Sequence, residues 1–157
     1  MIKNLKILSI GGFSGLGNSN TCLQRDAILS KFGEVDHVDT TAVPINLWYR
    51  ICNKLFQWSF PISLPDLCGA NKQIVAKIRD NNYDVIWIDK GIIIKEGVFK
   101  AMKQFAPQAK IIGYSPDYMC TRHNQTRDFL ASLKYYDTYV TTKSYSVSDL
   151  KKLGCKD

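Results

Sequence analysis

No stretch of the 157 residues approaches the ~20 uninterrupted apolar positions that a membrane-spanning helix needs. The first apolar run, "LKILSI" (5–10), is short and leads into glycines rather than a small-residue cleavage site, so no secretory leader is expected. Histidines number two. The five cysteines (Cys22, Cys52, Cys68, Cys120, Cys155) are widely spaced, with no C-x-x-C. That pattern excludes a disulfide framework and a zinc site, and it leaves reduced thiols, a cytoplasmic location and no metal as the expectation. Long basic runs are absent too. The net charge is +7, but the lysines sit at helical spacing (Lys95, Lys100, Lys103; Lys143, Lys151, Lys152) and read as solvated helix faces. No recognition motif accompanies the charge, so no specific nucleic-acid partner is expected. Repeats, low-complexity tracts and linkers are missing, and one domain over 1–157 follows.

What is present is alternation. Apolar strand-like runs at 5–10, 35–41, 83–89, 109–115 and 137–142 are separated by segments of helical period. The first helix follows the glycines, with Asn18, Ser19 or Asn20 as N-cap, Leu23, Ala27, Ile28 and Phe32 on one face, and Gly33 as its stop. Later helices carry Val98, Ala101, Met102 and Phe105, then Phe129, Leu130 and Leu133. A last one starts at Ser146 with Asp149 three residues on, a variant capping box. Strands alternating with helices mean right-handed βαβ units, so the fold class is α/β, a Rossmann-like doubly wound parallel sheet. Residues 43–82 break the rhythm as a helical insertion, with helices at about 45–57 and 66–80 split by Pro61 and Pro65. The first of these is apolar nearly all round, which fits deep packing or a surface for a partner, a lipid-like acceptor or another domain.

Ligands of an open parallel sheet bind beyond the carboxyl ends of the strands, so the candidates are the residues just past each strand. After the first come Gly11, Gly12, Gly15, Gly17 and Asn18, in "GGFSGLGN". The spacing is neither G-x-G-x-x-G nor a P-loop, although Asp39 at the end of the second strand is the kind of acid a dinucleotide site uses. A backbone cradle for an anion and a plain turn both fit it. After the third strand come Asp89, Lys90 and Gly91, charges at the exit of a desolvated strand. After the fourth come Tyr114, Ser115 and Asp117, then His123, Asn124 and Gln125 at the next helix start, where capping is the alternative. Asp117 and His123 are the groups able to serve as general base. Thr142 and Lys143 follow the fifth strand. Together these loops describe a cleft for a polyhydroxyl or phosphorylated ligand.

The run "YDVIWIDKG…AKIIGYSPDYM…HNQTRDFLASLKYYDTYVTTKSYSVSDLKKLG" resembles the N-terminal domain of CgeB-like, spore-maturation-type glycosyltransferases. Their pattern is strand–"DKG", strand–"SPDD", an "NQS"-like helix start, "YD…TTK" and "LG". The likeness is close over 83–154 and loose over the opening "KILSIGG", while 43–82 carries no signature. Tyr118 stands where the pattern often has a second acid, so a role needing paired carboxylates there is not carried over. The resemblance implies half of a GT-B fold. This domain receives the acceptor (glycan, protein or lipid-linked), and a C-terminal domain, the expected partner, holds the nucleotide-sugar donor. No other cofactor is implied, and the domain alone is expected to be inactive.

The alternative is a stand-alone, non-enzymatic α/β module that binds a nucleotide or a partner. A cation-binding receiver needs clustered acids after the first strand, where this chain has glycines. An FMN binder needs a Ser/Thr-rich phosphate loop there, which "GGFSGLGNSNT" matches poorly.

Overall fold

The computed structural model describes residues 4–14, 20–41 and 45–156. Gly15, Gly17 and Asn18 lie outside the described residues. The elements run β1 (Leu5–Gly11), α1 (Thr21–Leu29), β2 (Gly33–Asp39), α2 (Leu47–Gln57), α3 (Ala70–Asp80), β3 (Val85–Asp89), α4 (Glu96–Phe105), β4 (Lys110–Ser115), α5 (Arg127–Ser132), β5 (Thr138–Thr141) and α6 (Ser146–Lys152). All five strands are parallel, in the order β2-β1-β3-β4-β5. Neighbours diverge in connection between β1 and β3, and such a switch point leaves a crevice beyond the strand ends. The Rossmann-like α/β class expected from the alternation is the one observed.

The two faces of the sheet differ. Leu8, Ile10, Ile86, Ile88, Ile111 and Tyr139 share one face by register and alternation, and all are buried. They form one core with Ile74 and Ile78 of α3, Phe99 and Met102 of α4, Phe129 of α5 and Leu150 of α6. Gly113 lies under this layer, and a Cβ there would fall 2.7 Å from the Tyr136 ring and closer still to Tyr139. The opposite face carries Trp87, Asp89, Ile112 and Tyr114, and α1 lies on it through contacts to Asp89 and Tyr114.

The orientation of α1 differs from the one its periodicity suggests. Leu23, Ala27, Ile28 and Phe32 are exposed, while Cys22, Arg25 and Asp26 turn towards the sheet. The reason is the polarity beneath: Arg25 reaches Asp89, and Asp26 Oδ2 lies 2.7 Å from His37 Nε2. Gly33 begins β2 instead of stopping α1, because the helix ends at Leu29. The capping box at α6 does not form. The Ser146 hydroxyl donates to Lys143 O at 2.7 Å, and the Asp149 carboxylate accepts from Tyr118 Oη at 2.7 Å.

Several carboxylates are built into the frame. Asp66 accepts from the Ala70 and Asn71 amides at 2.9 and 2.8 Å and so caps α3, whose flanking Gly69 has no side chain to do it. Asp137 accepts from Lys103 Nζ at 2.8 Å and the Ile111 amide at 2.9 Å. Burial acts to raise both acids, and these donors outweigh it and hold both below the ordinary carboxylate value. A depressed folded value means the contribution is complete above the unfolded pKa of about 4 and is lost as pH falls through the folded value. Asp137→Asn should therefore melt below wild type at pH 7, and the two should converge as melts are repeated towards pH 2. A gap that stays constant across that range would contradict the assignment.

Candidate functional site

A cleft of about 430 Å³ opens at the switch point. Gly12 from the end of β1, Thr40 and Thr41 from β2, Asp89, Lys90 and Gly91 from β3, and Pro116 and Asp117 from β4 line it. Thr21, Cys22 and Arg25 of α1 and Tyr49 of α2 close its sides.

Its floor is an ion pair. Arg25 donates to Asp89 twice, Nη2 to Oδ1 at 2.6 Å and Nε to Oδ2 at 3.2 Å, and its guanidinium lies 4.3 Å from the Tyr114 ring centroid. Asp89 also accepts from Trp87 Nε1 at 3.1 Å and from the Cys22 thiol at 3.4 Å. Four donor atoms leave Asp89 as the anchor of the floor rather than a free ligand group. Burial, then the charge of Asp89, pushes the Cys22 thiol up to about 12, so it stays protonated and unreactive. Gly11 is required here because a Cβ would collide with Cys22 Sγ and come within 3.1 Å of Asp89 Cβ.

Above the floor the chain makes a strained turn. Lys90 has φ +62° and Gly91 φ +61°, and the Lys90 amide donates to Tyr114 O at 2.8 Å. A lysine in the left-handed region costs about 1 kcal/mol or more relative to glycine. The conformation projects Lys90 to the cleft mouth, where Nζ lies 2.6 Å from Asp117 Oδ2. Both side chains are a little under half exposed, 43% and 45%, so water and ligands reach the pair.

The far wall is tied by Asp39. It accepts from the Phe13 amide at 3.2 Å, the Ser14 hydroxyl, and the Thr41 amide and hydroxyl at 2.7 and 2.8 Å. These donors overcome the burial that would raise it and hold its carboxyl below the ordinary value. Asp39 therefore joins the loops after β1 and β2, and its oxygens are taken up in that joint rather than presented to a ribose. Asn20 completes the joint. Its Oδ1 caps the Cys22 amide at 2.9 Å, and its Nδ2 donates to Gly12 O at 2.9 Å.

Of the residues expected from the sequence, Gly12, Asp89, Lys90, Gly91 and Asp117 line the cleft. Gly11 and Tyr114 form the layer behind it. Ser115 is fully buried and accepts from the Asp117 amide at 3.1 Å, which shapes the turn. His123, Asn124, Gln125, Thr142 and Lys143 are not brought to the cleft. His123 is exposed on a short 3-10 turn (Arg122–Asn124), 3.4 Å from Thr121 Oγ1. Asn124 Nδ2 donates to Tyr118 O at 3.0 Å, Gln125 is buried, and Thr126 caps α5 by accepting from the Phe129 amide at 3.1 Å. Thr142 donates to Pro116 O at 3.2 Å, and the Lys143 amide donates to Thr141 Oγ1 at 3.1 Å. His123→Ala should therefore leave ligand binding in the cleft unchanged in a calorimetric titration, and a loss of tenfold or more would place the imidazole in the site.

Arg25, Thr40, Thr41 and Tyr49 were not expected from the sequence. The signal for Arg25 was Asp89 itself, since an acid ending a buried strand needs a cation nearby. Among the described residues no cluster of His, Cys, Asp and Glu could hold a metal ion, and no helix is long and apolar enough to cross a membrane.

Neither a family model nor a curated protein matches the chain. Among solved structures, the chain is similar to a Burkholderia pseudomallei protein described as pilus assembly-related, at a TM-score of 0.42 and 10% identity, over 100% of this chain and 96% of that one.

Proposed function

We propose that the chain is the acceptor-side domain of a nucleotide-sugar-dependent glycosyltransferase of the CgeB-like kind, one half of a GT-B arrangement. The sequence resemblance supplies the class. The observation that supports it is Lys90, held at φ +62° at the mouth of a cleft that Thr21, Thr40 and Thr41 line. Strain of this kind concentrates where function demands a particular side-chain placement.

On this reading the Thr21 and Thr40 hydroxyls and Lys90 hold acceptor hydroxyl groups, and the donor is gripped mainly by a second domain. Asp117 is the base for an inverting transfer. An acceptor hydroxyl displaces Lys90 from Asp117, gives its proton to the carboxylate as the new glycosidic bond forms, and the nucleoside diphosphate leaves. His123 has no part in this, given its place outside the cleft.

A second reading is a stand-alone binding module, favoured by the strand order 2-1-3-4-5. Flavodoxin-like folds share that order and bind their ligand in the crevice of a single domain. The test is transfer from a set of labelled UDP-, GDP- and dTDP-sugars by the whole gene product as its native cell makes it. The transferase reading expects room for a further domain of about 150 residues in its intact mass. It also expects at least tenfold lower kcat/KM for Lys90→Ala, and no turnover by residues 1–157 alone. Turnover by the isolated chain, or unchanged kinetics for Lys90→Ala, would overturn it.

A further inference from the structure

The cleft does not use the outer side of α2. Its inner side buries Cys52 and Phe56 and lends Tyr49 to the cleft. Its outer side, at helical spacing, presents Leu47, Trp48, Ile51 and, one residue past the helix, Trp58. Leu47 is 71% exposed and each tryptophan 63%. The tryptophans stand at opposite ends of the helix. Beyond Trp58 the chain reverses at Ser59 (φ +66°), and the Phe60 amide donates to Leu55 O at 3.1 Å, which leaves the Phe60 ring exposed beside the stripe. The turn is fastened to the domain by Arg122, whose Nη2 donates to Ser59 O at 3.0 Å.

Charge narrows what this face can meet. Residues 40–65 contain no aspartate or glutamate. The polar edge of α2 carries Arg50 and Lys54, with the Lys54 ammonium 5.0 Å from the Trp58 ring centroid, and Arg122 lies at the end of the stripe. An apolar stripe with aromatic ends, edged by Arg50, Lys54 and Arg122, matches an interfacial membrane helix. A second copy fits poorly, because an isologous contact would set this stretch, with Arg50 and Lys54 and no acid between residues 40 and 65, against the same acid-free stretch of another chain of net charge +7.

We infer that α2 and the turn after it dock on an anionic lipid bilayer. Leu47, Trp48, Ile51, Trp58 and Phe60 enter the headgroup–acyl boundary, and Arg50 and Lys54 meet lipid phosphates. Tyr49, on the inner side of the same helix, then sets the cleft close to the bilayer surface. This inference stands apart from the chemistry of the cleft and holds for either reading above.

The experiment is co-sedimentation of the chain with vesicles of phosphatidylcholine alone and with 30% phosphatidylglycerol (about a third anionic), at physiological salt. Tryptophan emission is followed with brominated lipids as quenchers. Binding is expected on the anionic vesicles, with quenching of Trp48 and Trp58 and none of Trp87, assigned by tryptophan-to-phenylalanine variants. Trp48→Ser with Trp58→Ser, and separately Arg50→Gln with Lys54→Gln, should each weaken binding on the order of tenfold with unchanged melting. Absence of vesicle binding would overturn the inference. So would binding that both double variants retain, which would reflect the overall charge. Concentration-dependent dimerisation that Trp48→Ser with Trp58→Ser abolishes, without vesicle binding, would assign the face to a protein contact instead.

Discussion

Asp89→Ala is expected to lower stability by about 3 kcal/mol, because it leaves a largely desolvated guanidinium unpaired. The Arg25 and Asp89 side chains are 20% and 9% exposed, and Asp89 accepts from four donor atoms of three residues. For a chain of this length that is a fall of about 10 °C in Tm. Arg25→Lys should not substitute, since an ammonium cannot form the two-bond contact to Asp89 and also set a delocalised cation over the Tyr114 ring. The Arg25→Ala/Asp89→Ala pair should cost less than the sum of the singles, by roughly 1–3 kcal/mol, when measured by urea denaturation. Additive losses would mean that the two side chains support the fold independently, and the floor of the cleft would not be a unit.

Lys90→Gly should separate stability from binding. Glycine relieves the left-handed strain at φ +62°, worth about 1 kcal/mol, while the lost contact to Asp117 is exposed and worth a few tenths at most after solvent screening. The variant should melt slightly higher than wild type and bind its cleft ligand at least tenfold more weakly, the pattern of a residue kept for function at a cost to the fold. A variant that melts lower and binds normally would make Lys90 a structural residue.

The strands were legible because most are short apolar runs closed by Gly, Pro or Asp (Gly11, Asp39, Asp89, Pro116), and burial on the core face leaves little alternative. The position of the cleft was legible for a similar reason, since strand ends in a parallel sheet converge on the switch point. The face of α1 was not. Its apolar period is real, but a guanidinium that must reach Asp89 and an Asp26 that reaches His37 turn the helix the other way. Local periodicity carries no record of what the strand beneath presents. The polar residues before α5 were legible as a group and not by role. Asn124 and Thr126 spend their hydrogen bonds on the turn and the cap, and only the three-dimensional path shows that this loop leaves the cleft. Thr40 and Thr41 gave no signal of their own, because Thr40 is held by its amide bond to Gly11 O and Thr41 by Asp39, which also ties the loop after β1.

The central claim is that ligands bind at the β1/β3 switch point, and amide chemical-shift mapping tests it most directly. The 15N-labelled chain would be titrated with chitobiose, maltotriose and UDP-glucose, with Lys90→Ala as the control. The expected result is a set of shifts centred on Gly12, Thr40, Thr41, Lys90 and Gly91 that Lys90→Ala abolishes. Shifts centred elsewhere, such as along α6, shifts that persist unchanged in Lys90→Ala, or no shift with any of the three would contradict it.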